Sequence, residues 1–207
     1  MATKTIETMM LTTDSFRAYG QVIEAIDNTG LTETANQNTA QRFNYVAQLS
    51  NYRCQDQQAY NYHHQLSNTA LVEPPAKSNL CLFRVQPTPI LPFEIKLLER
   101  HKYSSQMFVP MKSKSNGYLV IVCLNDEQND RPNLNTLKAF IATSNQGINY
   151  NANVWHHPMV GLEYPTDFVC LVWERRELST ENDEDCQVVQ LENIISVNVS
   201  SEYCSKI

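Results

Sequence analysis

Histidine is scarce in this 207-residue chain, and its five copies are clustered as His63-His64, His101 and His156-His157. His101 lies in the stretch Leu98-Glu99-Arg100-His101-Lys102-Tyr103-Ser104-Ser105-Gln106. On a strand, Glu99 and His101 share a face and Arg100 between them turns away. A turn through Lys102 to Ser105 brings Gln106 back beside them on the neighbouring strand. A carboxylate, an imidazole and an amide oxygen on one wall can make a mixed oxygen and nitrogen site for a divalent metal such as nickel, manganese or zinc. The same groups can also form a hydrogen-bonded polar cluster without metal. No organic cofactor is expected. The second cluster, Asn151-Ala-Asn153-Val-Trp155-His156-His157-Pro158, places adjacent histidines on opposite faces of a strand. One can point inward while the other meets the surface or an interface, and Trp155 faces as His157 does. His63-His64, in a polar, glutamine-rich stretch, reads as a pair of solvated loop histidines.

The elements that must position these groups are strands. From residue 80 onward, short apolar runs (NLCLFRVQ, FEIKLLER, QMFVPM, GYLVIVCL, LKAFIA, GINY, NVWHHPMVGLE, DFVCLVWERR) follow one another near every ten residues, separated by Pro, Asn and Gly. That pattern predicts an all-β fold, a barrel or sandwich of antiparallel strands with a few short helices. Thr13, Asp14 or Ser15 can cap a helical turn carrying Phe16 and Tyr19, and Val22 and Ile23 begin a strand. With only five glycines, Asn must take many left-handed turn positions. Residues 27–79 are polar, with one or two strands and long surface loops, and could lie as a lid over a pocket. The tail beyond 176 is acidic and then alternating, a terminal strand or ordered arm. The whole chain, 1–207, reads as one domain with a motif-bearing core at about 80–176 and a C-terminal extension at 177–207.

Composition closes off other classes. A net charge of −6 with no basic run disfavours nucleic acid as a partner. No stretch approaches 18 apolar residues, so no membrane span is expected, and the N-terminus has no apolar signal core. A cytoplasmic protein is expected. The six cysteines, Cys54, Cys81, Cys123, Cys170, Cys186 and Cys204, form no CxxC pair and read as buried or surface thiols.

Two resemblances sharpen the reading. Glu-x-His, four residues, then Gln, with a His some fifty residues on, resembles the two metal motifs of the cupin barrel. Glu99 stands where the first His would, Gln106 for the Glu, Asn151 for the Pro, Asn153 for the Gly and His156 for the last His. More specifically, LERHKYSSQMFVPM, RPNLNTLKAFIATSNQGINYNANVWHHPM, DFVCLVWERR and the N-terminal F-x-x-YG-x-VI are similar to the ureidoglycolate lyase family, covering roughly 11–26 and 80–175. Lys102, Ser105 and Lys138 depart from its usual Pro, Thr and Arg. The tail looks closer to the longer fungal-type members.

The resemblance implies a cupin-like, homodimeric carbon–nitrogen lyase cleaving (S)-ureidoglycolate to glyoxylate and urea in allantoin and purine degradation. That chemistry needs a base at the hydroxyl, an acid at the departing nitrogen and a positive group at the carboxylate. The roles carried over are catalytic for His101, His156 and Lys138, and substrate-binding for Gln106, Asn153, Arg84, Trp155 and His157. A divalent metal would rest on Glu99, His101, Gln106 and His156. Without metal, Lys138, Arg84 or Arg100 must hold the carboxylate. An amidohydrolase releasing ammonia and a non-catalytic ureide-binding cupin are the competing classes.

Overall fold

The computed structural model describes residues 4–26, 30–53, 76–111, 113–175 and 185–199. His63-His64, Cys54 and Cys204 lie outside the described residues, as does much of the 27–79 region. The elements run β1 (Lys4–Met10), α1 (Thr13–Phe16), β2 (Gly20–Ile23), β3 (Thr32–Ala35), β4 (Ala40–Phe43), β5 (Lys77–Val85), β6 (Phe93–Arg100), β7 (Gln106–Pro110), β8 (Gly117–Cys123), β9 (Asn125–Asp126), β10 (Arg131–Pro132), β11 (Lys138–Thr143), β12 (Gly147–Tyr150), β13 (Trp155–His156), β14 (Val160–Gly161), β15 (Thr166–Glu174) and β16 (Gln187–Asn198).

The all-β expectation holds. Six strands form a ring in the order β11-β1-β16-β6-β13-β8, closed by a β8–β11 pairing over six residues. A five-stranded sheet, β2-β12-β7-β15-β5, packs on one flank of it. The strands are antiparallel except β1, which runs parallel to both β11 and β16. The alternating tail is therefore no appendage: β16 is a twelve-residue stave between β1 and β6, with Ile195 and Val197 buried.

Side-chain alternation divides the apolar residues into two cores. Inside the ring lie Ile95, Leu98, Leu119, Ile121, Cys123, Ile141 and Trp155. Between the ring and the five-stranded sheet lie Phe16, Tyr19, Phe108, Val120, Val122, Phe140, Tyr150 and Phe168. The N-cap of α1 is Thr12, one residue before the expected candidates, with a capping box to Ser15. That helix delivers Phe16 edge-on to Phe140 at 5.7 Å. Left-handed backbone falls at Asn36, Gln37, Asn38, Tyr45, Asp130 and Asn153, so Asn does take half of these non-glycine positions. Gly20 is required where it stands, because a Cβ there would run into the Asn149 carbonyl of β12.

Candidate active site

Four residues form one row across four strands. Lys138 on β11 faces Val122 on β8, Val122 faces His156 on β13, and His156 faces Glu99 on β6. Directly paired residues project to the same side, here the side turned to the five-stranded sheet. From that sheet, Tyr150 stacks on the His156 ring at 4.2 Å and 14°. Gln106 is in register with Tyr150 on the adjacent strand. His101, one residue past the end of β6, lays its ring nearly parallel to His156 at 5.8 Å. The structure thus brings Glu99, His101, Gln106 and His156 together between the two sheets.

Local hydrogen bonds fix the two imidazoles. His156 Nδ1–H donates to the Val154 carbonyl at 3.0 Å, and His101 Nδ1–H donates to the Asp185 carbonyl at 2.6 Å. Each ring therefore turns an Nε2 lone pair the other way. Burial lowers the His156 pKa to about 3, helped by repulsion from His101 and His157. His101 is also lowered, mainly by burial, with Arg53 adding repulsion. Glu99 moves the other way, its pKa raised by burial and opposed by the Cys186 thiol that donates to Oε2. His156 Nε2 stands 3.6 Å from Glu99 Oε1. With the imidazole neutral this is a close approach, not an ion pair.

Two atoms here are buried and unpartnered, His156 Nε2 and Gln106 Oε1. Both are acceptors, so the site lacks donors: a cation, or a ligand rich in O–H and N–H, would satisfy it. The donor set fits a divalent metal in chemistry, with two imidazoles, an amide oxygen and a carboxylate. Anchoring each Nδ1–H on a backbone carbonyl is also how metal-binding histidines are held. Among the described residues, no three His, Cys, Asp or Glu side chains are drawn together closely enough to hold an ion without movement.

The other expected residues lie elsewhere. Trp155 points into the closed ring, where its Nε1–H donates to Asn125. Its strand parity is opposite to that of His156, so it faces the ring interior and not the side turned to the five-stranded sheet. His157 shares that parity and packs against Phe93 at 5.0 Å. The Asn153 side chain accepts from Arg100. Arg84 is exposed on β5 in a bidentate pair with Asp167. Arg100 is buried behind the site, under the Trp155 ring and bonded to Gln187, Asn125, Asp130 and Asn153. Lys138 is exposed at the end of the row, its Nζ 5.9 Å from the Tyr19 ring.

Tyr150, Arg53 and Asp185 are additions that the sequence reading did not single out. Tyr150 was reachable, since alternation along GINY puts it on the face of Ile148. Arg53 comes from the polar region that has no periodicity. There, residues 50–52 lie along 103–105 through Ser50, Ser105, Tyr52 and Tyr103 backbone bonds. A surface groove of about 750 Å³ among the described residues runs between 24–26, 109–111, Ser113 and 143–146 and holds none of these groups.

A family model described as ureidoglycolate lyase matches residues 3–198. Proteins named ureidoglycolate lyase from Escherichia coli O157:H7 and from Shigella flexneri are each 32% identical over 172 residues, spanning 80% of this chain and 86% of theirs.

Proposed function

This chain belongs to the ureidoglycolate lyase family, and from that premise we propose that it cleaves (S)-ureidoglycolate to glyoxylate and urea. The substrate carbon bears a carboxylate, a hydroxyl and a ureido nitrogen. Its cleavage moves one proton from the hydroxyl oxygen to the departing nitrogen while the C–N bond breaks and the C=O bond forms. No water is consumed.

The observation that carries the reading is Glu99, a carboxyl with a raised pKa set 3.6 Å from the unpartnered Nε2 of His156. A raised pKa makes the carboxylate a stronger base and the acid form easier to keep near neutral pH. Hydroxyl and nitrogen sit on the same carbon, so one carboxyl can take the proton from the first and give it to the second. Glu99 therefore replaces His101 and His156 in proton transfer, because burial leaves both imidazoles neutral and weakly basic. Their Nε2 atoms and Gln106 Oε1 serve as acceptors that orient the hydroxyl and ureido N–H groups. Tyr150 packs over His156 and keeps water from that side. A divalent metal held by His101, His156 and Gln106 with Glu99 at its edge would supply a lowered hydroxyl pKa.

The test follows glyoxylate, urea and ammonia together, on chelator-treated protein and after adding back single metals. Urea equimolar with glyoxylate is the expected result, and loss on chelation with recovery by one metal identifies the metal. Ammonia in place of urea would overturn the reading in favour of an amidohydrolase.

Two finer points belong to the same proposal. Exposed Leu80 and Leu82, at 69% and 66%, on the edge strand β5 support a homodimer; sedimentation at micromolar concentration checks it. Unbridged thiols at Cys81, Cys123 and Cys170 among the described residues support a reducing, cytoplasmic location. No helix among the described residues is long and apolar enough to cross a membrane.

A further inference from the structure

The dipeptide Asp185-Cys186 reaches both reactive-side groups from behind. The Asp185 carbonyl accepts the Nδ1–H of His101 at 2.6 Å, and the Cys186 thiol donates to Glu99 Oε2 at 3.8 Å. The Asp185 side chain does neither of these things. Its carboxylate instead takes the Arg53 guanidinium, whose side chain is 1% exposed, and both of its oxygens lie within 3.0 Å of the Arg175 backbone N–H. Three stretches far apart in sequence thus meet at one carboxylate: the loop before residue 54, the end of β15 and the start of the β16 arm. Arg53 is in turn placed by the 50–52 strip bonded to 103–105, the turn between His101 and Gln106.

We propose that Asp185 is a positioning residue of the lyase. Its carboxylate clasps the arm to Arg53 and Arg175, and the clasped arm fixes the His101 tautomer and holds the Cys186 thiol against Glu99. The proposal deepens the lyase reading and rests on it for its kinetic consequence, though the tautomer readout stands apart. An imidazole whose Nδ1–H is held by a backbone carbonyl can only present Nε2 as a lone pair. Once the arm is unclasped, that carbonyl is no longer held in place and both tautomers are populated. Partners of this kind, one bond removed from the reacting groups, are typically worth about 10- to 100-fold in activity.

The experiment compares Asp185→Ala, Asp185→Asn and Asp185→Glu with Arg53→Gln and a surface control, Asp14→Asn, whose partner Arg17 is exposed. Melting curves establish which variants are folded. Proton–nitrogen correlation spectra on 15N-histidine protein then assign the His101 tautomer, and steady-state assays on ureidoglycolate separate kcat from KM. Wild-type protein should show His101 protonated at Nδ1 alone. Asp185→Ala and Arg53→Gln should both show the mixed tautomer and lose about 10- to 100-fold in kcat with KM changed less than threefold. Asp185→Asn should fall between, because it keeps an acceptor for the Arg175 N–H and loses the charge facing Arg53. Folded Asp185→Ala that keeps the Nδ1–H tautomer and a kcat within twofold of wild type overturns the proposal. If Asp185→Ala does not fold, the same two readings on Asp185→Asn and Arg53→Gln decide it. Wild-type protein with the locked tautomer and no urea production would overturn the lyase reading and leave the clasp standing.

Discussion

Replacing Arg100 by Ala tests whether the back of the site is held by one guanidinium. Arg100 is 1% exposed and makes five hydrogen bonds of 2.7–2.9 Å, two of them to Asp130, besides lying 4.4 Å over the Trp155 ring. Removing one member of a buried ion pair typically costs about 3–5 kcal/mol, because the partner is left charged and dry. Asp130 is not left dry: it is half-exposed and keeps Lys102 at 2.9 Å. The loss is therefore at the low end, about 3 kcal/mol, made up mainly of orphaned Gln187 and Asn153 acceptors and the lost contact with Trp155. For a chain of this length that is a Tm drop of about 6–12 °C. Asp130→Asn leaves Arg100 buried and charged but keeps an amide oxygen as acceptor and the bonds to Gln187, Asn125 and Asn153, so it should cost less, about 1–2 kcal/mol. The two variants are compared by thermal and urea unfolding at pH 7.5. Equal losses, or an Arg100→Ala loss under about 1 kcal/mol, would refute the account.

Three further outcomes are expected. Glu99→Gln should lower kcat by about 10²- to 10⁴-fold and raise Tm at neutral pH, because burial disfavours the charged carboxylate; the Tm gain should vanish below about pH 4, where the unfolded carboxyl is itself protonated. A Glu99→Gln protein with unchanged kcat removes Glu99 from proton transfer. His101, His156 and His157 all have folded pKa values below the ordinary histidine value near 6.5. The unfolded chain therefore binds protons first, and stability is lost as pH falls below about 6.5, at up to about 1.4 kcal/mol per pH unit for each ring, and for His156 down to about 3. Chelator-treated protein should melt at steadily lower temperature from pH 7 to 5, with a shallower slope in His156→Gln, and a flat profile refutes the neutral-imidazole assignment. Hydantoate, which keeps the ureido and carboxylate groups and lacks the hydroxyl, should bind without being cleaved. At a hundredfold excess over Kd it should add about 2.7 kcal/mol. Gln106→Leu should lose that gain while leaving the unliganded Tm unchanged or higher, and a persistent ligand shift in the variant shows that Gln106 Oε1 is not a contact.

Strands were legible wherever the apolar alternation was long. FEIKLLER, GYLVIVCL and DFVCLVWERR each become a strand with the expected ends within a residue or two. The grouping of Glu99, His101, Gln106 and His156 was legible too, because period-two geometry and a short turn are local rules. What the sequence could not give was the partner on the far side. Trp155 and His157 follow the same period-two rule as His156, but only the closure of the ring tells which face is substrate and which is core. Asp185 was hidden for a different reason: an acidic run reads as solvated, and its tie to Arg53 spans 132 positions with no pattern at either end. Arg84 shows the reverse case, a cation chosen by type that the structure places at the surface in a pair with Asp167.

The contrast between Arg100 and Glu99, neighbours on β6, shows how one strand can serve both stability and chemistry. Arg100 faces the ring interior, where its five donated bonds and an aromatic face offset the removal of its charge from water. Glu99 faces the other way, where burial raises its pKa and the nearest group is a neutral imidazole with an unpartnered nitrogen. A carboxylate so placed destabilises the folded protein, and a buried unsatisfied acceptor adds about 1–3 kcal/mol more. That cost is offset by the stable side of the same strand, which also bonds Asn153, whose backbone N–H in turn holds the His101 carbonyl. The reactive face can stay open because the opposite face is closed, so loosening Arg100 should loosen Glu99 and His101 with it.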